Sequence, residues 1–272
     1  MHNEKIACII PVKNRKKLVI EAIDSVINQD HPVDEIIIVD DGSTDGTYSE
    51  IKRLFFSSSN LRVIKSKDLG PGAARNVGVK YSSADIIMFL DSDDLWLKDH
   101  TLTLFKSFEK GIDASFGITE NRDLTNNDKF YIPGPEFDRK RSISENLLRW
   151  CSIVPSSFAI KKRAFLHLGG FEQVGFGEDW SFFIKAAKKI NIYFIDKVIT
   201  VRRLHGENIC QKGFSIKEAL SLLYRILEIA TGLYSESQLE IVRRNIKITK
   251  ELNGKCQSVQ QWYLALTRNL QP

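Results

Sequence analysis

Three carboxylates crowd into Asp91-Ser92-Asp93-Asp94, directly after the wholly apolar run Ile86-Ile87-Met88-Phe89-Leu90. Carboxylates this close repel and raise one another's pKa unless a cation intervenes, and hard oxygen ligands with open positions suit Mg²⁺ or Mn²⁺, which then bridge phosphate oxygens. A divalent metal is expected there. Taken alone, Asp93 and Asp94 would serve equally well as caps for the helical pattern that follows. A second acidic pair, Glu178-Asp179, stands between Gly177 and the apolar helical pattern beginning at Trp180, after the glycines 169, 170 and 175. Its plain reading is also helix capping. His205, in Arg202-Arg203-Leu204-His205, is by itself an ordinary surface or core histidine, although imidazole is an acceptable Mn²⁺ ligand if a metal lies nearby.

Two glycine-containing segments follow apolar runs. Asp40-Asp41-Gly42-Ser43-Thr44-Asp45-Gly46 fails as a calcium loop, because the twelfth position from Asp41 is Lys52 where a bidentate Glu is required. A tight glycine turn fits better, with Asp41 free to accept from a base-edge N–H and Thr44 or Asp45 capping the next helix. Gly70-x-Gly72 departs from the dinucleotide fingerprint, since Arg75 occupies the third glycine position. An arginine near the start of a helix supplies positive potential suited to a diphosphate.

The elements that must hold these groups alternate over the first 118 residues. Apolar runs at 6–12, 35–40, 61–65 and 85–90 are separated by helical patterns over about 17–28, 46–55 and 72–81. Continuous Val/Ile-rich runs predict a mostly parallel sheet covered on both faces, with ligands beyond its carboxyl edge. The polar stretch 121–142 reads as a loop or lid. A helix near 142–150, a strand near 157–161, a helix over 177–189 and a strand over 191–201 follow, and the chain is helical from about 215. The apolar stripe of Ala219, Leu220, Leu222, Leu223, Ile226, Leu227 and Ala230 suits packing on the preceding domain or docking on a membrane surface.

Composition narrows the class. With 272 residues, 43% hydrophobic and 27% charged, the chain can fill a core and is neither disordered nor fibrous. The N-terminal apolar run, Ile6 to Val12, is too short for a signal peptide and reads as a strand. Cysteines at 8, 151, 210 and 256 form no zinc spacing and no dense disulfide framework, which fits a reducing cytoplasm. The net charge of +5 is carried mostly by residues 212–272, with nine basic and five acidic side chains. No nucleic-acid-binding module or long basic tract accompanies it, so nucleic acid is not expected as a partner.

Taken together, the chain resembles the inverting family-2 glycosyltransferases of the GT-A fold. The likeness is carried by Cys8-Ile9-Ile10-Pro11-Val12-Lys13-Asn14, by residues 35–46, by residues 70–78, by Phe89 to Asp94 as the DxD element, by the 169–171 and 177–180 segments, and by Arg202 to His205. It covers about residues 5–208. The resemblance implies an α/β nucleotide-sugar-binding domain over 1–210 with a helical C-terminal extension over 211–272. It implies that Pro11, Lys13 and Asp41 lie at a uracil-type base, that Arg75 and Asp91 approach the sugar and diphosphate, and that Asn14 and Ser92 also belong to the nucleotide-sugar-binding set. Asp93, with Asp94 and His205, would hold Mn²⁺ or Mg²⁺, and Asp179 would be the catalytic base. Lys13 departs from the family, which often has an aromatic residue there.

The activity implied is transfer of a hexose-type sugar from a UDP-sugar to a hydroxyl of a saccharide acceptor, lipid-diphosphate-linked acceptors included, with β-linkage, in surface polysaccharide synthesis. Such proteins are expected in the cytoplasm, with peripheral association at the inner membrane face. Two other readings stay open: a sugar nucleotidyltransferase and a non-catalytic nucleotide-sugar-binding subunit. The first usually has a glycine-rich loop after its first strand, whereas residues 11–17 contain no glycine.

Overall fold

In a computed structural model of the chain, the structure describes residues 4–174, 176–206, 208, 215–252, 256 and 258–268. Gly175, Cys210 and the expected domain boundary at 210/211 lie outside the described residues. The elements are β1 (Ile6–Val12), α1 (Lys16–Ile27), β2 (Glu35–Asp40), α2 (Thr47–Leu54), β3 (Leu61–Lys65), α3 (Pro71–Tyr81), β4 (Ile86–Phe89), β5 (Asp94–Trp96), α4 (His100–Ser107), β6 (Ala114–Asp123) and β7 (Lys129–Ile132). They continue with α5 (Ile143–Arg149), β8 (Phe158–Lys161), α6 (Lys162–His167), α7 (Glu178–Lys189), β9 (Ile192–Leu204), α8 (Ile216–Ala230), α9 (Glu236–Leu252) and α10 (Val259–Arg268).

The strands form one mixed sheet in the order β3-β2-β1-β4-β8-β6-β9-β5, with β7 hydrogen-bonded to β6. The first four are mutually parallel, as the βα alternation predicts. Antiparallel β8 joins this block to the parallel pair β6 and β9. Every residue of β1 is buried. Ile6, Cys8, Ile10 and Val12 face the core under α1, whereas Ala7 and Ile9 face the core containing α3 and α7. A strand buried on both faces needs no polar alternation, which is why these runs read as continuous apolar sequence. The side chains of α8 and α10 join that second core through Leu222, Ile226 and Trp262.

Two short stretches differ from expectation. The polar segment 121–142 is not loop throughout: residues up to Asp123 complete β6, and Lys129–Ile132 pair back onto it from Arg122↔Lys129 to Thr119↔Ile132. The turn 124–128 and the connection 133–142 remain outside the strands, the latter closed by a Ser142/Glu145 capping box at the start of α5. After the carboxylate cluster the chain enters β5, paired with β9, and α4 starts only at His100. Asp93 and Asp94 therefore do not cap that helix. Among the described residues no helix is long and apolar enough to cross a membrane.

Candidate active site

Parallel register brings the carboxyl ends of three strands to one edge. Val12 lies beside Asp40, the amide of Asp41 donates to the Val12 carbonyl at 2.8 Å, and the amide of Leu90 donates to the Ile9 carbonyl at 3.0 Å. The polar segments after β1, β2 and β4 consequently open into one cleft of about 500 Å³. Its charged half includes Pro11, Lys13, Asp41, Arg75, Asp91, Ser92 and Asp93, and the cleft reaches Glu178 and Asp179 at the start of α7. Residues 91 and 179 thus share one cavity despite their separation in sequence.

The Asp91–Asp94 segment is a turn, closed by the Asp94 amide donating to the Asp91 carbonyl at 3.0 Å. It points its carboxylates in different directions. Asp91 accepts from Arg75 Nη2, while Arg75 Nη1 donates to Glu178 Oε1 at 3.0 Å. Arg75 is only 3% exposed, and its two acidic partners hold its pKa above the ordinary value despite burial. Its Nε is buried without a hydrogen-bond partner among the described residues.

Asp93 Oδ2 gathers Arg15 Nη1, His205 Nε2 at 3.2 Å and Asn208 Nδ2 at 3.0 Å. Asp93 and His205 are therefore brought together, with the Arg15 guanidinium against the same carboxylate oxygen. Asp94 turns the other way: Ser156 Oγ donates to its Oδ2 at 2.6 Å, its Oδ1 has no partner among the described residues, and it does not line the cleft. Burial, followed by the charges of Asp93 and Asp91, pushes the Asp94 carboxyl well above the usual range. Among the described residues, no group of three or more His, Cys, Asp or Glu side chains converges as a metal cage.

Helix α7 starts after Gly177, whose φ of 74° is a left-handed conformation that glycine adopts without strain. Glu178 faces Arg75. Asp179 Oδ1 accepts from the next amide, Trp180 N, at 2.7 Å. The pair thus satisfies part of the helix start while both carboxylates border the cavity. Burial first, then the charge of Asp179, raises Glu178 to about 7 against the pull of Arg75. Burial also raises Asp179, opposed by the Trp180 amide, Arg75 and Arg202.

The carboxylate of Asp41 is not free as expected. It accepts from Ser66 Oγ, from Leu69 N at 2.9 Å and from Gly70 N at 2.8 Å, fixing the turn that leads into α3. Lys13 Nζ pairs with Asp68 at the rim. Asn14 is exposed, ties the first loop to the second by accepting from Thr44 N at 2.7 Å, and does not line the cleft. Thr44 does not cap α2; Asp45 accepts from Thr47 N at 3.0 Å beside a Gly46 cap residue. Arg15, Glu178, Arg202 and Asn208 belong to the site but were not assigned roles from sequence. For Arg202 the signal was its place in the late basic motif; the partners of Arg15 and Glu178 are visible only after folding.

The geometry agrees with the comparisons. A family model described as "Glycosyl transferase family 2" matches residues 7–169. An uncharacterized glycosyltransferase of Rickettsia felis is 33% identical over 206 residues, covering 76% of this chain and 34% of that protein. The chain thus spans about a third of the length of the first curated relatives it matches. The Campylobacter jejuni GalNAc(5)-diNAcBac-PP-undecaprenol beta-1,3-glucosyltransferase is 26% identical over 240 residues, covering 86% of this chain and 76% of that protein.

Among solved structures, Staphylococcus aureus TarS 1-349 in complex with UDP-GlcNAc superposes with a TM-score of 0.73 at 18% identity, over 97% of this chain and 81% of that one. The mannosyltransferase PcManGT from Pyrobaculum calidifontis, in complex with GDP-Man and Mn2+, gives 0.66 at 18% identity, over 99% and 80%. These likenesses show a common GT-A fold. By the match of residues 7–169, more than half of its length, to that family model, the chain belongs to glycosyl transferase family 2.

Proposed function

We propose that the protein transfers a hexose-type sugar from a UDP-sugar to a hydroxyl of a saccharide acceptor with inversion at the anomeric carbon. The observation that carries this reading is that Arg75, Asp91, Asp93 and Asp179 line one cleft. The TarS complex with UDP-GlcNAc supports a UDP-sugar donor, and the C. jejuni glucosyltransferase, named for a saccharide linked through diphosphate to undecaprenol, supports a lipid-linked acceptor. A place in surface polysaccharide synthesis and peripheral placement at the membrane face belong to the same reading.

Asp179 is the general base. Its raised pKa makes it a better proton acceptor than an ordinary aspartate, and it takes the proton of the acceptor hydroxyl as the oxygen attacks the anomeric carbon. Arg75, fixed between Asp91 and Glu178, places permanent positive charge where negative charge grows on the departing diphosphate. A single displacement inverts the anomeric centre, so an α-linked donor gives a β-glycoside. Pro11, Lys13 and Asp41 border the base end, with Asn14 bracing the loop behind them.

Asp93 and His205 would be the protein's donors to a divalent cation, in place of the Arg15 guanidinium that shares the Asp93 Oδ2 oxygen. One carboxylate and one imidazole side by side are ligand types that would suit Mn²⁺ or Mg²⁺. Asp94, expected as a further ligand, is engaged by Ser156 and is not among the donors. When bound, such an ion neutralises charge on the leaving diphosphate. PcManGT with GDP-Man and Mn2+ supports the assignment.

The test is UDP release by purified protein over a panel of UDP-sugars and soluble or polyprenyl-diphosphate-linked saccharides, with Mn²⁺, Mg²⁺ or chelator. Acceptor-dependent release, lost with chelator, and a β-anomeric product by NMR are expected. Donor binding without release from any pair would indicate a non-catalytic binding subunit instead.

A further inference from the structure

The cleft has a second half whose chemistry differs from the first. Beyond Asp179 its wall is apolar and aromatic, and part of it comes from the C-terminal helices: Leu222 on α8, and Val259 and Trp262 on α10. Trp150, at the end of α5, stands at the centre of this wall. Its ring lies 5.4 Å from Trp180, 5.4 Å from Trp262 and 4.7 Å from Tyr263, centroid to centroid. Gly177 fixes the arrangement from beneath, because a Cβ there would stand 2.5 Å from the Leu222 methyls.

The four indoles are not equivalent. Trp96 donates to the Ser156 carbonyl at 2.9 Å, Trp180 to the Leu147 carbonyl at 2.7 Å and Trp262 to Thr249 Oγ1 at 2.9 Å. Trp150 is half-buried and lines the cleft, and its indole N–H has no acceptor among the described residues. Three rings hold it, and no described residue accepts from its polar edge. A buried or ligand-covered indole N–H ordinarily finds an acceptor, since leaving it unpaired costs free energy.

We infer that Trp150 is the platform of an acceptor subsite that takes a pyranose ring, stacked on the indole and hydrogen-bonded to its N–H. This rests on the glycosyltransferase reading above, and it gives the C-terminal helices a part in acceptor choice. The group that settles here must carry the hydroxyl that meets Asp179, one residue from the Trp180 that braces the platform. A pyranose has an apolar C–H face for the ring and hydroxyls for both Asp179 and the indole N–H. An alkyl chain supplies no nucleophile and would strand the N–H without an acceptor. Orientation by a few polar groups within an apolar wall is the usual construction of a small-ligand site.

The experiment separates binding from turnover. Methyl α- and β-glycosides of glucose, galactose, N-acetylglucosamine and N-acetylgalactosamine are titrated into ¹⁵N-labelled full-length protein saturated with UDP, and the four indole N–H resonances are followed. Trp150→Phe assigns the Trp150 signal. That signal should move with at least one glycoside while the other three stay nearly fixed. Trp150→Ala should weaken that glycoside about tenfold or more, and Trp150→Phe should fall between, with UDP affinity within about twofold of wild type. If no glycoside moves the Trp150 signal, or if Trp150→Ala binds glycosides as wild type does, the subsite is overturned. If farnesyl phosphate moves the signal and glycosides do not, a lipid occupies the wall and the proposal also falls. The resonance shift needs no folded variant beyond Trp150→Phe. Should Trp150-dependent glycoside binding hold while no UDP-sugar is ever turned over, the transferase reading fails and the subsite stands.

Discussion

Arg75 and Glu178 lie 103 residues apart in the chain and share a buried hydrogen bond, Nη1 to Oε1 at 3.0 Å. The bond ties the start of α3 to the start of α7, and the other arm of the same guanidinium reaches Asp91. One planar cation thereby sets the distance between the acidic turn after β4 and the acidic pair that opens α7.

Arg75→Met tests that role. Removing one partner from a buried ion pair leaves the others uncompensated, and the usual cost is about 3–5 kcal/mol. Arg75→Lys should recover only part, because an ammonium is a point charge without the fork that spans two carboxylates. Urea unfolding near pH 7.5 checks both. Stability of Arg75→Met within about 0.5 kcal/mol of wild type, the ordinary range for surface substitutions, would contradict the buried-clamp account.

The same pair predicts a pH dependence with a definite sign. Glu178 is raised to about 7 from an ordinary value of 4.5, by burial and by Asp179. The folded protein therefore binds a proton here more readily than the unfolded chain does. This contribution to stability is complete below about pH 4.5 and is lost as the pH rises through about 7. Glu178→Gln keeps a neutral side chain of the same shape and removes the titration. Between pH 5 and pH 8 the urea midpoint of wild type should fall relative to that of Glu178→Gln, and the opposite slope would show that Arg75 outweighs burial.

Gly72→Ala should destabilise although alanine is the better helix former, by about 1 kcal/mol in an open helix. A Cβ at residue 72 would lie 2.7 Å from Glu178 Cγ and 3.2 Å from both the Phe171 Cβ and the Glu172 carbonyl. Glu178 would have to leave Arg75. Overpacking of this kind costs about 1–3 kcal/mol. Because the damage passes through Glu178, the costs of Gly72→Ala and Glu178→Gln should not add in the double mutant. Simple additivity in melts of the four proteins would place the strain elsewhere.

The strands and helices through residue 90 were legible because each is a continuous apolar run or an amphipathic pattern bounded by turn residues. β5 was not, since three residues carry no period and its identity comes from pairing with β9. The β6–β7 hairpin was hidden by polar side chains over 121–129, although its register is set by backbone pairing. At the site, residue type and position after a strand pointed to Asp91 and Asp93, a place near a helix start to Arg75, and the family resemblance to Asp179. Sequence could not show that Asp94 turns toward Ser156 while Asp93 turns toward His205, because a tight turn decides the direction of each carboxylate. Arg15 was unreadable for a related reason: its basic neighbours Lys16 and Lys17 conceal the one side chain that folds onto Asp93.

Asp179→Asn separates the proposed catalytic role of this carboxylate from its structural one. Among the described residues its carboxylate accepts from Trp180 N, which an amide oxygen does equally well. Burial disfavours the aspartate charge, so the substitution should leave stability unchanged or slightly higher. An asparagine cannot take the proton of an attacking hydroxyl, and loss of a general base lowers turnover by about 10²–10⁴. The donor end of the cleft is untouched, so UDP affinity by calorimetry should hold. Glu178→Gln is the control beside it: Glu178 is engaged by Arg75 and should cost less turnover than Asp179→Asn. Near-wild-type turnover in Asp179→Asn, or a larger loss in Glu178→Gln with UDP binding intact, would transfer the base assignment from Asp179 to its neighbour.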